Sequence, residues 1–321
     1  MHPTALEQGP AQAPTPGPAP VSETRPRLSV VIASVNGPEY LDACLSALAR
    51  QRGSVSSEIV VADSYGPSTA EMLAQKYPYV RLYPFAERLT IPELRAAAIA
   101  QSRGELIVMT EDHCVPAEDW YERIVSAHQQ HAHMAIGGAI ENMAVERMLD
   151  WAAFLCEYSN FVRPLPAGVA QDIPGPNVAY KRAALDHMQD LLDEGRWETF
   201  LHARLEERGF ELYLDPSVVV YHRKFFSLGE FLSQRYHYGR GFAGMRVQGA
   251  PVSRKAIFAL GSPILPPVIL WRLATRLFGR RRHRLIFLRA LPLLALFTVS
   301  WSVGELVGYV LGPGDSLKKV E

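Results

Sequence analysis

LSVVIASVNGPEYLDACLSALA, residues 28–49, decides the fold. Its first six residues are a short β-branched apolar run, the pattern of a strand buried on both faces. Asn36-Gly37-Pro38 ends the run, and Leu41, Cys44, Leu45 and Leu48 then recur at helical spacing. The same unit repeats downstream. EIVVA (58–62) is followed by a helical stretch at 68–76, Val80–Tyr83 by one at 94–102, and ELIVMT (105–110) closes the series. Strands alternating with helices predict βαβ units and an α/β fold with a mainly parallel sheet.

Outward from this block the chain changes character. Residues 1–26 are rich in Pro, Ala, Gly and Gln and cannot bury enough surface to offset the entropy of ordering, so a disordered tail is expected there. The tail lacks the basic start and apolar run of a signal peptide. After residue 110 the pattern predicts helices at 120–131, 182–192 and 198–208. Strands are expected at 135–140, 211–214 and 218–221, and a loop at 164–176. With 33 basic and 33 acidic side chains in 321 residues, the chain lacks the basic excess of a nucleic-acid binder. Three scattered cysteines, none in a CxxC pair, exclude a disulfide scaffold and a zinc ribbon and point to a reducing compartment.

In an open parallel sheet, ligands bind beyond the carboxyl ends of the strands. Three such ends carry polar residues: Ser34 and Asn36, Asp63 and Ser64, and Glu111-Asp112-His113. Ser34 reads equally as a turn residue or a ligand contact; Asp63 reads as a ligand contact. In an extended segment Glu111 and His113 point the same way and can face one ligand together. Their oxygen and imidazole donors suit Mn²⁺ or Mg²⁺ beside a diphosphate. His222, ending an apolar strand, is either a structural histidine or a ligand. Glu198, at a helix start after Trp197, is either a first-turn acid or a carboxylate suited to general-base work.

The order of these pieces resembles the family 2 glycosyltransferases of the GT-A fold, over residues 28–222. SVVIASVNGPEYLDACLSAL resembles that family's first strand and helix, and EIVVADS its nucleoside-binding strand end. LRAAAIAQSRGELIVMTEDHCVP resembles the approach to its metal motif, with Arg95 and Gly104 at matching positions. GPNVAYKRAAL is similar to its acceptor-side segment, and WETFLHARLEERGFELYLDPSVVVYH to its catalytic helix and following strand. The resemblance implies a nucleotide-binding set of Ser34, Asn36, Asp63, Arg95, Glu111 and Asp112. It implies an acceptor and sugar side of Gly175, Asn177, Arg182, Trp197 and Arg204. It also implies Glu198 as base, His113 and His222 as metal ligands, and a divalent cofactor, Mn²⁺ or Mg²⁺. Two departures stand out. Glu111-Asp112-His113 replaces the usual Asp-x-Asp, lowering the site's negative charge and favouring Mn²⁺. Trp197-Glu198 replaces the usual Glu-Asp pair, and one carboxylate remains.

The implied activity is an inverting transfer from a nucleotide-diphosphate sugar to a glycan, lipid-linked or small-molecule acceptor. The alternatives are a catalytically inactive nucleotide-binding scaffold of the same fold, or a nucleotidyltransferase. The latter normally needs a glycine-rich basic loop that Asn36-Gly37-Pro38 does not supply.

The last third predicts membrane lipid as a partner. Ala290–Leu311 carries one charge, Glu305, and exceeds the roughly 20 residues needed to cross a bilayer. Glu305 is costly in lipid and needs a partner, for which Arg272 is one candidate. Ile257–Leu277 is apolar but interrupted by Pro263, Pro266 and Pro267, which fits a re-entrant or interfacial segment. Arg254-Lys255 and Arg280-Arg281-Arg282 flank it. The expected organisation is a tail (1–26), a catalytic domain (27–224), an amphipathic connector (225–256) and membrane-associated helices (257–321). The expected site of action is a bacterial inner membrane, with the catalytic domain in the cytoplasm.

Overall fold

The computed structural model describes residues 25–320. Most of the expected tail, residues 1–24, lies outside them. Its last two residues are already engaged: Arg25 Nε donates to Arg103 O at 2.7 Å, and Pro26 O accepts from Glu105 N.

The elements run β1 (Leu28–Ser34), α1 (Pro38–Ala49), β2 (Ser57–Asp63), α2 (Pro67–Lys76), β3 (Arg81–Pro84), α3 (Ile91–Gln101) and β4 (Leu106–Glu111). Then come β5 (Cys114–Pro116), α4 (Trp120–Gln130), β6 (Ala135–Asn142), α5 (Met148–Tyr158), β7 (Gly168–Ala170) and β8 (Val178–Lys181). The chain continues through α6 (Arg182–Leu185), α7 (Gln189–Asp193), α8 (Glu198–Glu207), β9 (Leu212–His222) and α9 (Leu228–Arg246). It ends in α10 (Val252–Gly261), α11 (Leu265–Gly279) and α12 (Arg284–Leu311).

One sheet has the order β3-β2-β1-β4-β8-β6-β9-β5, with β7 also on β9. It is parallel across β3-β2-β1-β4 and mixed beyond, because β8 runs antiparallel to both β4 and β6. The parallel half behaves as its composition demands: β1 is buried along its whole length between α-helical layers. Three expected elements differ. The stretch expected as a loop at 164–176 contains the short strand β7, antiparallel to β9. The helix expected at 182–192 is broken into α6 and α7. The two strands expected at 211–221 are one strand with a bulge, where the register on β6 jumps from Gly138↔Asp215 to Ala139↔Val219. Pro216 sits in that bulge, where a missing N–H costs no ladder bond.

α9 opens with a capping box, Ser227 Oγ accepting from Glu230 N while Glu230 reaches back to Ser227 N. It packs in parallel against α12. A Cβ on Gly304 would lie 2.1 Å from Tyr236 O, and one on Gly308 would lie 2.4 Å from Arg240 O. Only glycine permits so close an approach of the two backbones. The apolar helical run begins at Val252 rather than Ile257, and Pro266 and Pro267 occupy the first turn of α11, where no helical N–H is lost. The stretches Val252–Gly279 and Arg284–Leu311 are both long and apolar enough to cross a membrane. One face of α12 is committed to α9 and α5, while Leu285, Leu288, Leu296, Val299 and Val303 remain exposed on it.

The basic cluster after α11 is not a loose flank. Arg280 donates to Ser159 O, Val162 O and Asn160 O, and Arg282 pairs with Glu141 at 2.8 Å. These contacts clamp the α11–α12 turn onto the sheet domain. Glu305 is buried, but its partners are not Arg272, which is exposed. They lie on its own helix: Trp301 Nε1 donates to it at 2.5 Å and Tyr309 OH at 2.7 Å.

Candidate active site

The parallel strands end together, and there the sequence pays out its polar residues. Ser34 and Asp63 are register partners on β1 and β2. Ser34 Oγ and Asp63 Oδ1 are buried without a hydrogen-bond partner, whereas Asp63 Oδ2 accepts from Gly66 N at 3.1 Å. Buried polar atoms left open at strand ends fit a ligand that completes them.

Beside them, Glu111-Asp112-His113 splits as the extended geometry predicts. Asp112 turns inward to β1, accepting from Val35 N at 2.9 Å, Asn36 N at 2.8 Å and Asn36 Nδ2 at 2.8 Å. Burial opposes its charge, but hydrogen bonds from His113 and Asn36 hold its carboxyl below the usual carboxylate range. Its bonding capacity is spent on shaping the loop. Glu111 and His113 face each other on the opposite side, Oε2 to Nε2 at 3.2 Å. His113 Nδ1 lies 3.0 Å from Asp112 Oδ1. Asn36 Nδ2 also lies 3.2 Å from His113 Nδ1: in one tautomer Nδ1 accepts from Asn36 and Nε2 donates to Glu111, and in the other Nδ1 donates to Asp112 and Nε2 can join Glu111 on a shared cation. β5 pairs Cys114 with His222, and the His222 ring stands edge-on to that of His113, with centroids 4.9 Å apart. Cys114 lies within the same cluster, but burial, reinforced by the charge of Glu111, pushes its thiol well up. A neutral thiol is a poor partner for a hard cation, so within this cluster Glu111 and His113 are the donors that fit one, with the His222 ring beside them.

Arg95 joins this cluster to the catalytic helix. It is buried, donates to Glu111 Oε1 at 2.8 Å and forms an ion pair with Glu198. Its guanidinium therefore sits between the metal motif and the candidate base, away from the Ser34–Asp63 strand ends. α5 supplies Tyr158, whose OH donates to Glu111 Oε2 at 3.3 Å. Burial and the charge of Glu111 push that phenol well up, keeping it a neutral donor.

Two cavities open on either side of the Glu111–His113 strand end. One, of about 580 Å³, is lined by Asn36, Tyr40, Lys224, Phe225 and Lys319. The other, of about 240 Å³, holds Glu111, Gly175, Trp197 and Glu198, with walls from α5, α9 and α12. Three residues expected on the acceptor side are elsewhere. Asn177 is buried and fully used: it accepts from Trp120 Nε1 and donates to Ala139 O and Val218 O. Arg182 donates to Gly104 O at 2.6 Å, at the amino end of β4, because antiparallel β8 carries the chain back there. Arg204 pairs with Asp190 and Glu207 on the outer side of α8 and lines neither cavity. Conversely, Glu157, Tyr158 and Trp301 reach the smaller cavity and carried no signal in the sequence, and Arg235, which as a basic residue among aromatics in 225–246 reads as a headgroup contact, lines the same cavity.

The sequence model of glycosyl transferase family 2 matches residues 29–188, the span that carries these strand ends. The chain belongs to glycosyltransferase family 2. The fold is similar to that of the mannosyltransferase PcManGT from Pyrobaculum calidifontis, solved in complex with GDP-Man and Mn²⁺. That likeness has 21% identity and a TM-score of 0.51, covering 92% of this chain and 88% of the other. S. aureus TarS residues 1–349 are similar at 13% identity and a TM-score of 0.47, covering 88% of this chain and 90% of that one. Among curated protein sequences none matches. The protein is thus a glycosyltransferase that draws its sugar from a nucleotide sugar.

Proposed function

We propose that this glycosyltransferase inverts the sugar it transfers, at the cytoplasmic face of a membrane, with Glu198 as the general base. The observation that carries the reading is the position of Glu198. It lines the smaller cavity together with Glu111, and Arg95 ties the two carboxylates together. In this reading the nucleotide lies over Ser34, Asn36 and Asp63. The acceptor enters from the Gly175 and Trp197 side. Its hydroxyl oxygen bonds to the anomeric carbon as the bond to the diphosphate breaks, and the hydroxyl proton passes to Glu198. Attack opposite the leaving group inverts the anomeric configuration without a covalent enzyme intermediate.

Glu111, His113 and His222 would hold a divalent ion, and two imidazoles favour Mn²⁺ over Mg²⁺. Such an ion, when bound, offsets the charge that develops on the departing diphosphate. Residues 27–224 act as the catalytic domain, residues 225–256 as the connector, and the exposed apolar faces after Val252 meet lipid. The free cysteines agree with a reducing, cytoplasmic setting.

Sugar transfer and release are measured with a panel of nucleotide sugars and Mn²⁺, in wild type and Glu198→Gln. We expect one donor to be used, and the variant to lose roughly 10²-fold or more in turnover with donor binding kept. Near-normal turnover of Glu198→Gln removes it as the base, and transfer of a nucleotidyl group instead of a sugar rejects the whole reading.

A further inference from the structure

The smaller cavity shows what kind of acceptor it is built for. Its walls are aromatic. Trp197 and Tyr238 have ring centroids 4.9 Å apart, and Phe242 and Trp301 form a second pair 6.1 Å apart. Trp301 belongs to α12, so a helix apolar enough for a membrane supplies part of the active site. At about 240 Å³ the space holds the equivalent of about eight waters, the scale of one pyranose ring.

The polar lining is unbalanced in charge but balanced in hydrogen bonding. Four carboxylates, Glu111, Glu157, Asp172 and Glu198, line the cavity against Arg235 in the lining and Arg95 behind Glu111 and Glu198, an excess of two negative charges. Arg235 is itself paired with Glu157 at 3.1 Å, and its guanidinium lies 4.4 Å from the Trp301 ring centroid. An anion here would meet net negative charge in a partly desolvated space. A neutral polyol would meet acceptors for its hydroxyls on every side. Donors belong to the same walls: the lining residues Trp197 and Arg235 carry an indole N–H and an Nε that are buried without a hydrogen-bond partner. Flat apolar faces beside mixed donors and acceptors are what a sugar ring presents in complement.

We infer that this cavity is an acceptor subsite for an uncharged sugar, with Trp301 of α12 and Arg235 and Tyr238 of α9 as its specificity residues. The acceptor nucleophile is accordingly a sugar hydroxyl, not a phosphate oxygen. The inference rests on the reading of Glu198 as base, and it adds the class of acceptor that meets that base.

The test uses the full chain in nanodiscs, free of sugar detergents. The probes are methyl glycosides of glucose, galactose, mannose and N-acetylglucosamine. Methyl glucuronide, glucose 6-phosphate and decyl phosphate are the charged arms. Binding is read from tryptophan fluorescence and calorimetry, and donor hydrolysis is followed in the same preparations. We expect at least one neutral glycoside to bind in the millimolar range and the charged probes to bind about tenfold weaker or worse. Trp301→Ala should weaken the glycoside about tenfold, whereas Val299→Ala, on the exposed face of the same helix, should leave glycoside binding and donor hydrolysis within a factor of about two of wild type. Trp301→Phe, which keeps a ring, should retain most of the binding, and Tyr238→Ala should repeat the loss if Trp301→Ala melts early. Absence of glycoside binding at about 50 mM, or tighter binding of decyl phosphate, overturns the inference. Glycoside binding that persists while Glu198→Gln stays fully active would instead overturn the assignment of the base and leave the subsite standing.

Discussion

Gly175→Ala tests the position of the base separately from its chemistry. A Cβ on Gly175 would lie 2.8 Å from both Cδ and Oε2 of Glu198. Ordinary contact begins at 3.4 Å, so the carboxylate must retreat by about 0.6 Å. It is not free to swing at will, because its other oxygen is paired with Arg95, which is buried and also pinned by Glu111. The backbone at Gly175 has no positive φ, so alanine itself causes no strain there. A 1 Å misplacement of a reacting group costs about 10²-fold, so a shift of roughly half that size should lower kcat about tenfold. Since the displaced atoms are the end of one side chain, folding stability should change by less than about 1 kcal/mol. Steady-state kinetics with saturating donor and metal, beside a thermal melt, read both quantities. Glu198→Asp withdraws the carboxylate by one methylene and should relieve the clash, so the double variant should be more active than the product of the single effects. An unchanged kcat in Gly175→Ala, or strict additivity in the cycle, would refute the geometry proposed for the base.

The other predictions concern the metal motif and a buried histidine of α4 that meets Ala179 O of β8. His113→Ala should raise the Mn²⁺ concentration at half-activity roughly tenfold or more, and His113→Asp should retain activity with Mg²⁺; superimposable metal titrations in wild type and alanine variant would exclude His113 from the site. Burial, with Lys181 adding to it, pushes His128 down to about 4 from an ordinary 6.5. The unfolded chain therefore binds a proton that the folded one refuses. Stability is complete above pH 6.5 and falls as pH drops toward 4, by up to about 3 kcal/mol. Chemical denaturation at several pH values should show that decline flattened in His128→Asn, and equal declines in the two proteins would show that other groups cause it.

The parallel half of the sheet was legible because burial on both faces writes itself as β1-like runs, and turn residues punctuate them. The facing of Glu111 and His113 followed from the two-residue period of an extended chain alone. What failed was direction and distance. Arg182 follows the last residue of β8, and no local pattern says that β8 runs against β4 and so delivers it to the wrong end of the sheet. Asp215-Pro216-Ser217 has the composition of a turn, and only the partner strand β6 shows that it is a bulge. α5 went unread although it has helical composition: its N-cap is Arg147, without a capping side-chain bond, so nothing marks its start. Glu157 and Arg235 are 78 positions apart, and their meeting is a property of the packed chain.

The C-terminal helices illustrate the same limit with a functional consequence. Read by hydropathy, α12 is an anchor and separable from catalysis. Its exposed face keeps that character. Its other face approaches α9 so closely at Gly304 and Gly308 that the two helices form one slab, and α9 carries Arg235 and Tyr238 into the cavity of Glu198. Trp301 reaches that cavity from α12 while donating its indole N–H to Glu305, so the buried acid of the apolar helix serves to orient a wall of the site. A carboxylate that is costly to bury is held by two hydrogen bonds and fixes an aromatic ring, so that an exposed apolar face and a wall of the Glu198 cavity are two faces of one structural element.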